Sequence, residues 1–256
     1  MSRHPKPPAR DVSRDTAQVH EVEKPAALIA RALAKDYGDG PALHPLDLRV
    51  EEHERVALIG HNGSGKTTFL RMATGLLEPA SGSVTVFGEA PGSMEARRRL
   101  SYLADTPTFY EDLSVWEHLE YTARLHGRSD WEQRAADLLG QLGIYERADD
   151  LPTRFSRGLK QKAAIAMAFI RPFDLMLVDE PFVGLDAEGK EALLELFDEA
   201  SSAGASLVVA THELGFVTTT QRTVALRDGA LIFDGPSSQA EARGLVAVEG
   251  TAETES

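Results

Sequence analysis

The chain has 256 residues, a formal net charge of −13 and no cysteine. The missing cysteine excludes a disulfide framework and any thiolate metal site, and the acidity argues against bulk binding of nucleic-acid phosphates. An apolar content of 42% supplies the core of one large α/β domain or two small ones, while the longest apolar run, 163–170, is far short of the roughly 20 residues of a membrane helix.

Residues 1–24 are polar, proline-bearing and charged, without the apolar centre of a signal peptide, and read as a disordered segment. A single ordered domain is expected over 25–240, followed by a flexible acidic tail at 241–256. Ala27–Ala34 and Leu46–Val50 read as two short strands of an antiparallel patch beside a main sheet. Val56-Ala57-Leu58-Ile59 then reads as a buried strand.

That strand runs into Gly60-His61-Asn62-Gly63-Ser64-Gly65-Lys66-Thr67-Thr68 and on into a helical pattern at 69–77. Strand, glycine loop and helix together form the setting that a P-loop requires. Glycines without Cβ let successive N–H groups turn onto phosphate oxygens, and the helix dipole adds to the anion site. Lys66 is spaced to reach β- and γ-phosphates and the Thr67 hydroxyl to ligate Mg²⁺.

Another strand is expected over 82–88, and Arg97-Arg98-Arg99 reads as a solvated helix face. From 111 to 143 the texture is helical, opened by the capping box Ser114 to Glu117 and continued by a second helix over 131–142. These helices, with one over 160–170, suggest a helical subdomain at about 105–170 inserted into the α/β chain. Leu175-Met176-Leu177-Val178 is an apolar strand ending in Asp179-Glu180, expected beside the P-loop strand. There Asp179 suits the Mg²⁺ shell and Glu180 suits orienting or deprotonating a water. A helix over 187–203 leads to a strand over 206–210 that ends near His212, at the same sheet edge. A strand over 222–226 and a turn at Asp228-Gly229 suggest a hairpin. Alternating helices and apolar strands indicate a mostly parallel core sheet covered on both faces.

The order of these pieces resembles the ATP-binding-cassette ATPases, the nucleotide-binding subunits of ABC transporters, over about residues 27–240. The most specific stretch is Phe155-Ser156-Arg157-Gly158-Leu159-Lys160-Gln161-Lys162, which is similar to the family signature, usually Leu-Ser-Gly-Gly-Gln before a basic helix start. The resemblance implies the P-loop ATPase fold of that family, with ATP and Mg²⁺ as cofactors. Ser156, Arg157 and Gly158 would then serve the γ-phosphate of ATP held by a second ATPase subunit, expected to be another copy of the chain. It also implies Tyr37 as the aromatic on adenine, Gly184-Leu185-Asp186 as the loop linking the two sites, and His212 as the switch histidine.

Three departures stand out: Arg157 replaces the first signature glycine, Leu159 replaces its terminal glutamine, and Asp105 stands where the family carries glutamine. Asp105 is kept as a nucleotide and Mg²⁺ residue. The segment from Tyr110 to Leu119, with Leu125-His126-Gly127, resembles exporter ATPases of the drug, antibiotic and lipid type. Their permease is a separate membrane protein seated beside this stretch, near Tyr110 and Trp116. The reading is therefore a cytoplasmic ATPase held peripherally on the inner face of the membrane by a permease, with no nucleic-acid partner. Its rivals are a soluble cassette ATPase acting on ribosomes or DNA and a weakly hydrolysing nucleotide-gated module.

Overall fold

The computed structural model describes residues 26–245 apart from residue 39. The N-terminal segment expected over 1–24 and residues 246–256 of the expected tail lie outside the described residues. The chain forms β1 (Ala26–Asp36), β2 (Pro41–Glu51), β3 (Arg55–Ile59), α1 (Lys66–Thr74), β4 (Ser81–Val86), α2 (Met94–Arg99) and β5 (Leu100–Leu103). It continues through α3 (Val115–Leu125), α4 (Trp131–Gln141), α5 (Arg157–Ile170), β6 (Leu175–Asp179), α6 (Ala187–Ser202) and β7 (Ser206–Ala210). Short helix α7 (Leu214–Val217), the hairpin β8 (Arg222–Arg227) and β9 (Ala230–Pro236), and helix α8 (Ser237–Ala242) follow.

Two sheets result. The main sheet has the order β5-β6-β7-β3-β8-β9, parallel except for β9; the other is antiparallel, β2-β1-β4. Side chains alternate across a strand, so each apolar strand of the main sheet feeds two cores. Val56, Leu58, Leu175, Leu177, Val208 and Val224 face α1 and the antiparallel sheet, where Phe69, Leu70, Leu28, Leu46 and Val84 complete one core. Ala57, Ile59, Met176, Val178, Leu207 and Val209 face the other way, onto Leu119, Leu138, Ile165, Phe169, Leu193 and Phe197 of the helices. Burying each large side chain of this kind stabilises the fold by about 1.5–3 kcal/mol. Arg222 ties the sheets together, bonding Asp234 (2.6 and 2.8 Å), Glu54 (3.0 and 3.1 Å) and the Arg49 carbonyl of β2 (2.9 Å).

Several local readings hold. Ser114 Oγ accepts from the Glu117 N–H at 3.2 Å and the Glu117 carboxylate accepts from the Ser114 N–H at 2.7 Å, closing the capping box at the start of α3. Asp228 and Gly229 both have positive φ, 49° and 76°, which matches the twist of a two-residue hairpin turn.

Others need correction. β1 and β2 are not short but run eleven residues each; Pro45 is tolerated because β2 is an edge strand. β5 was not anticipated, since four residues after an arginine run carry too little periodicity. The Asp179 strand does not lie beside the P-loop strand β3, because β7 is inserted between β3 and β6. Helix α5 starts at Arg157 rather than at residue 160, since the Ser156 hydroxyl caps it by accepting from the Leu159 N–H. Arg97 and Arg98 are exposed as expected, while Arg99, its side chain 41% exposed, also pairs with Asp174 at 2.5 Å and lies 3.4 Å from the Phe87 ring centroid. Trp116 is half-buried, with its ring 5.3 Å from that of Trp131.

His126, which ends α3, lines a cavity between this helix and the loop after β5. Burial, with the Arg171 guanidinium nearby, holds its imidazole down at about 4, against an ordinary 6.5. The fold therefore favours the neutral ring, and its contribution is fully present above pH 6.5 and lost as pH falls from 6.5 to 4. His126→Gln is expected to flatten the acid loss of stability across that window, read from denaturant midpoints against pH; an unaltered profile would contradict the assignment.

Candidate active site

The site is built where the parallel strands end. The registers align Leu58 with Ala210 and Ala210 with Asp179, so β3, β7 and β6 deliver their carboxyl ends to one edge. The 60–68 loop follows β3 directly and wraps into α1. A Cβ at Gly60 would sit 2.5 Å from Ser64 Oγ and run into the Leu226 carbonyl, so only glycine lets the loop close here. Lys66 is 5% exposed and its ammonium donates to the Gly60 carbonyl at 2.6 Å, with the His61 carbonyl at 3.4 Å and Glu180 Oε1 at 3.2 Å. It therefore sits inside the loop with its charge partly matched by an acid from another strand.

Asp179, at the end of β6, is buried with neither carboxylate oxygen hydrogen-bonded. Burial pushes its carboxyl above the ordinary range, and the Asp105 and Glu180 carboxylates push the same way. The Thr67 hydroxyl and Lys66 counter part of this, Thr67 without a hydrogen bond of ordinary geometry. Tyr102, pushed up to about 12 chiefly by burial, adds no negative charge near Asp179 at neutral pH. An unpaired buried carboxylate beside a hydroxyl is an all-oxygen donor set that suits a hard divalent cation. Among the described residues no group of three or more His, Asp or Glu could hold a metal by itself, so ligand or solvent oxygens would have to complete the shell.

Glu180 adopts a positive φ of 45°, a conformation costing a non-glycine residue roughly 1–2 kcal/mol. Its N–H donates to the Ala210 carbonyl at 2.8 Å, which holds the strained residue against β7. Its carboxylate is bracketed, with Oε1 toward Lys66 and Oε2 3.1 Å from His212 Nδ1. A cavity of about 510 Å³ opens over these groups, lined by the loop from Asn62 to Thr68 together with Asp105, Arg157, Glu180 and His212.

The signature stretch touches this site through the segment after Glu180. Gln161 is buried and its amide donates to the Pro181 carbonyl at 3.0 Å. A Cβ at Gly158 would lie 2.5 Å from the Gly184 carbonyl, so glycine is required for α5 to approach so closely. Phe182 packs against Phe197 and Phe216, which anchors the segment from below.

These positions can be set against known proteins. The family profile described as ABC transporter matches residues 43–183. The chain belongs to the ABC transporter family. It is 35% identical over 205 residues to the SkfA peptide export ATP-binding protein SkfE of Bacillus subtilis (strain 168), covering 79% of this chain and 86% of that one. It is 38% identical over 191 residues to the ABC-type transporter ATP-binding protein EcsA of the same strain, covering 73% and 77%. A solved structure described as the ATP-binding subunit of an ABC transporter superposes with a TM-score of 0.78 at 32% identity, over 87% of this chain and 95% of that one.

As an ABC ATPase the protein binds and hydrolyses ATP, and the cavity gathers most of the residues expected for that work. The loop residues Asn62 to Thr68, with Asp105, Arg157, Glu180 and His212, line one space, and Asp179 lies buried beside it. Gly60 supplies the carbonyl that holds Lys66. His61 points away from the cavity, with Nε2 3.2 Å from Asp228. Tyr37 is 58% exposed near the end of β1 and does not line the cavity. Ser156 and Asp186 act locally as helix caps, Asp186 accepting from the Gly189 N–H at 2.8 Å and pairing with Lys162 at 3.0 Å. Sequence reasoning missed Ala42 and Val183 in the lining and the Gln161 link, because none of these follows from local spacing.

Two outcomes follow for the acids. Glu180→Gln is expected to lower ATP turnover by at least about a hundredfold while ATP binding persists, the usual weight of a general base; unchanged turnover would remove Glu180 from that role. Because a raised carboxyl pKa means that the ionised form is disfavoured by folding, the Asp179 charge destabilises the nucleotide-free protein at neutral pH. Asp179→Asn should therefore raise the melting temperature of that form. It should also abolish the further rise in melting temperature that Mg²⁺ gives with ATP. A drop in the nucleotide-free melting temperature would overturn this account.

Proposed function

We propose that this ABC ATPase is the energy-coupling subunit of an exporter whose permease is a separate membrane polypeptide. The observation that carries the reading is the identity to SkfE, a protein named for peptide export, along 86% of its length. Among the described residues no helix is long and apolar enough to cross a membrane, so on this reading another polypeptide supplies the transmembrane path. The ATPase then works at the inner face of the membrane through that partner.

The donor set supports Mg²⁺ as the companion of ATP. Asp179 and Thr67 would hold the ion, with Asp105 on the same cavity wall, and when bound it neutralises charge on the β- and γ-phosphates. Lys66 binds phosphate oxygens, exchanging its loop carbonyl for them. Glu180 orients a water and takes its proton, and the His212 imidazole on Oε2 fixes which carboxylate oxygen faces the phosphate. A second copy of the chain, arranged head to tail, brings its own Ser156 and Gly158 over the nucleotide.

For the permease, the favoured seat is the groove between the loop after β5 and helices α3 and α5. It is a cavity of about 250 Å³ lined by Pro107, Phe109, Thr122 and Met167, among others. Tyr110 stands beside it, 55% exposed, its ring stacked on His118 and its N–H donating to His118 Nε2 at 2.9 Å. The Asp105 loop forms one wall of this groove and reaches the nucleotide cavity with its other side, which gives a route from permease to ATP.

Capture of the tagged protein from detergent-solubilised membranes, followed by mass spectrometry, tests the reading. A polytopic membrane protein in stoichiometric amount is expected. Recovery of ribosomes or soluble proteins alone would end the transport reading and leave the ATPase chemistry standing.

A further inference from the structure

A separate cavity, of about 480 Å³, opens at the edge of the main sheet opposite the P-loop. Its lining includes Asp174 and Ala205, which immediately precede β6 and β7, the strands whose other ends carry Asp179 and Ala210. At about 3.3 Å per residue, these five-residue strands keep the two edges roughly 15 Å apart. The lining shares no residue with the nucleotide cavity.

Three guanidinium groups line this cavity, although the chain as a whole carries a net charge of −13. Arg128 follows α3, Arg134 belongs to α4 and Arg171 follows α5, so packing rather than local sequence gathers them. The two acids of the lining, Asp174 and Glu199, balance them only in part. Asp174 is held by Arg99 at 2.5 Å. Glu199 stands 3.8 Å from Arg134 and also accepts from the Gln141 amide at 3.2 Å. Arg128 pairs with Asp130 at 3.1 Å and donates to the Ile170 carbonyl at 3.2 Å. Arg171 has no carboxylate partner among the described residues; its Nη2 donates to the Arg97 carbonyl, and its Nε is buried without a hydrogen bond.

The protein therefore meets the Arg171 cation with a single carbonyl. Burial pushes this guanidinium down to about 10, still far above neutrality, so the charge persists. Burial lowers Arg134 as well; the Glu199 carboxylate opposes this, and the Arg128 charge adds to it. Like charges gathered in this way gain most when an anion joins them. The rest of the wall is largely apolar, with Phe169 and Phe173 edge to face at 5.8 Å and Leu196 and Ala200 from α6. Apolar surroundings strengthen charge-assisted bonds, and the planar arginine fork fits the paired oxygens of phosphate or carboxylate. The volume lies in the range of small-molecule sites.

We propose that this cavity binds a small polyanion carrying two or more oxyanion groups, at a site of its own remote from the nucleotide. Arg171 and Arg134 supply most of the attraction, since neither is fully matched within the protein. Phosphorylated and polycarboxylate metabolites share the required chemistry.

The test is isothermal titration of full-length Lys66→Ala protein, whose P-loop no longer holds phosphate with its lysine, using pyrophosphate and, separately, citrate. Both titrations are run without divalent metal and at fixed ionic strength. Saturable binding of about one ligand per chain is expected, tighter pyrophosphate marking a phosphorylated ligand and tighter citrate a polycarboxylate. Arg134→Gln and Arg171→Gln, each in that background, should weaken the tighter probe by about tenfold, the weight of one charge-assisted hydrogen bond. Arg98→Gln, at an exposed arginine outside the lining, should change it less than about twofold. Melting temperatures without ligand check folding, and Arg134→Gln alone decides the matter should Arg171→Gln not fold. Absence of saturable binding by either probe would overturn the site. Binding that the cavity variants leave unchanged, or that Arg98→Gln weakens equally, would overturn it too.

Discussion

The site is arranged around a carboxylate that is buried without a hydrogen bond of ordinary geometry. Asp179 sits where it does because β6 is apolar on both faces and its last residue emerges at the sheet edge between α1 and β7. Neither neighbouring acid relieves it; Asp105 and Glu180 raise its carboxyl further. Lys66, whose charge favours the Asp179 carboxylate, is engaged by two loop carbonyls and by Glu180. On the proposed reading the cavity accepts a divalent cation, because oxygens left unmatched by protein donors gain most when a hard ion enters.

Rigid support makes that arrangement possible. The two cores on either face of the main sheet hold β3, β6 and β7 in register, and the register alone fixes how far the P-loop stands from Asp179 and Glu180. Glu180 is strained, and its N–H bond to Ala210 and the anchoring of Phe182 among Phe197 and Phe216 keep it so. Strain held in place by its surroundings in this way is common at sites that act on a ligand.

The helical half is not a passive neighbour. Gln161 and Lys162 grip the segment from Pro181 to Asp186, so α5 cannot shift without disturbing the residues next to Glu180. On its other side α5 packs with α3 and α4, and the groove they share with the Asp105 loop is open at the surface. A push on that groove would reach the carboxylates through two routes, the Asp105 loop and α5. This is the physical form that coupling between a permease and ATP takes on the proposed reading.

Much of this was legible in the chain itself. The glycine loop between an apolar strand and a helix, the apolar strand ending in Asp179-Glu180, and the Ser114 and Ser156 caps are local patterns whose chemistry depends on neighbours a few residues away. Local spacing therefore marked the P-loop and the paired acids, while the signature stretch and the family were read from a resemblance. What it did not decide was adjacency. That β7 separates β3 from β6, that a four-residue strand carries Asp105 to the cavity, and that Arg99 reaches Asp174 and Phe87 are matters of strand order and packing between residues far apart in sequence. The same holds for Arg157, which joins the P-loop cavity because Gln161, Lys162 and Gly158 contact a segment twenty or more residues away. Sequence spacing encodes the turn of a helix or the alternation of a strand; which ends meet is decided only when two cores close on one sheet.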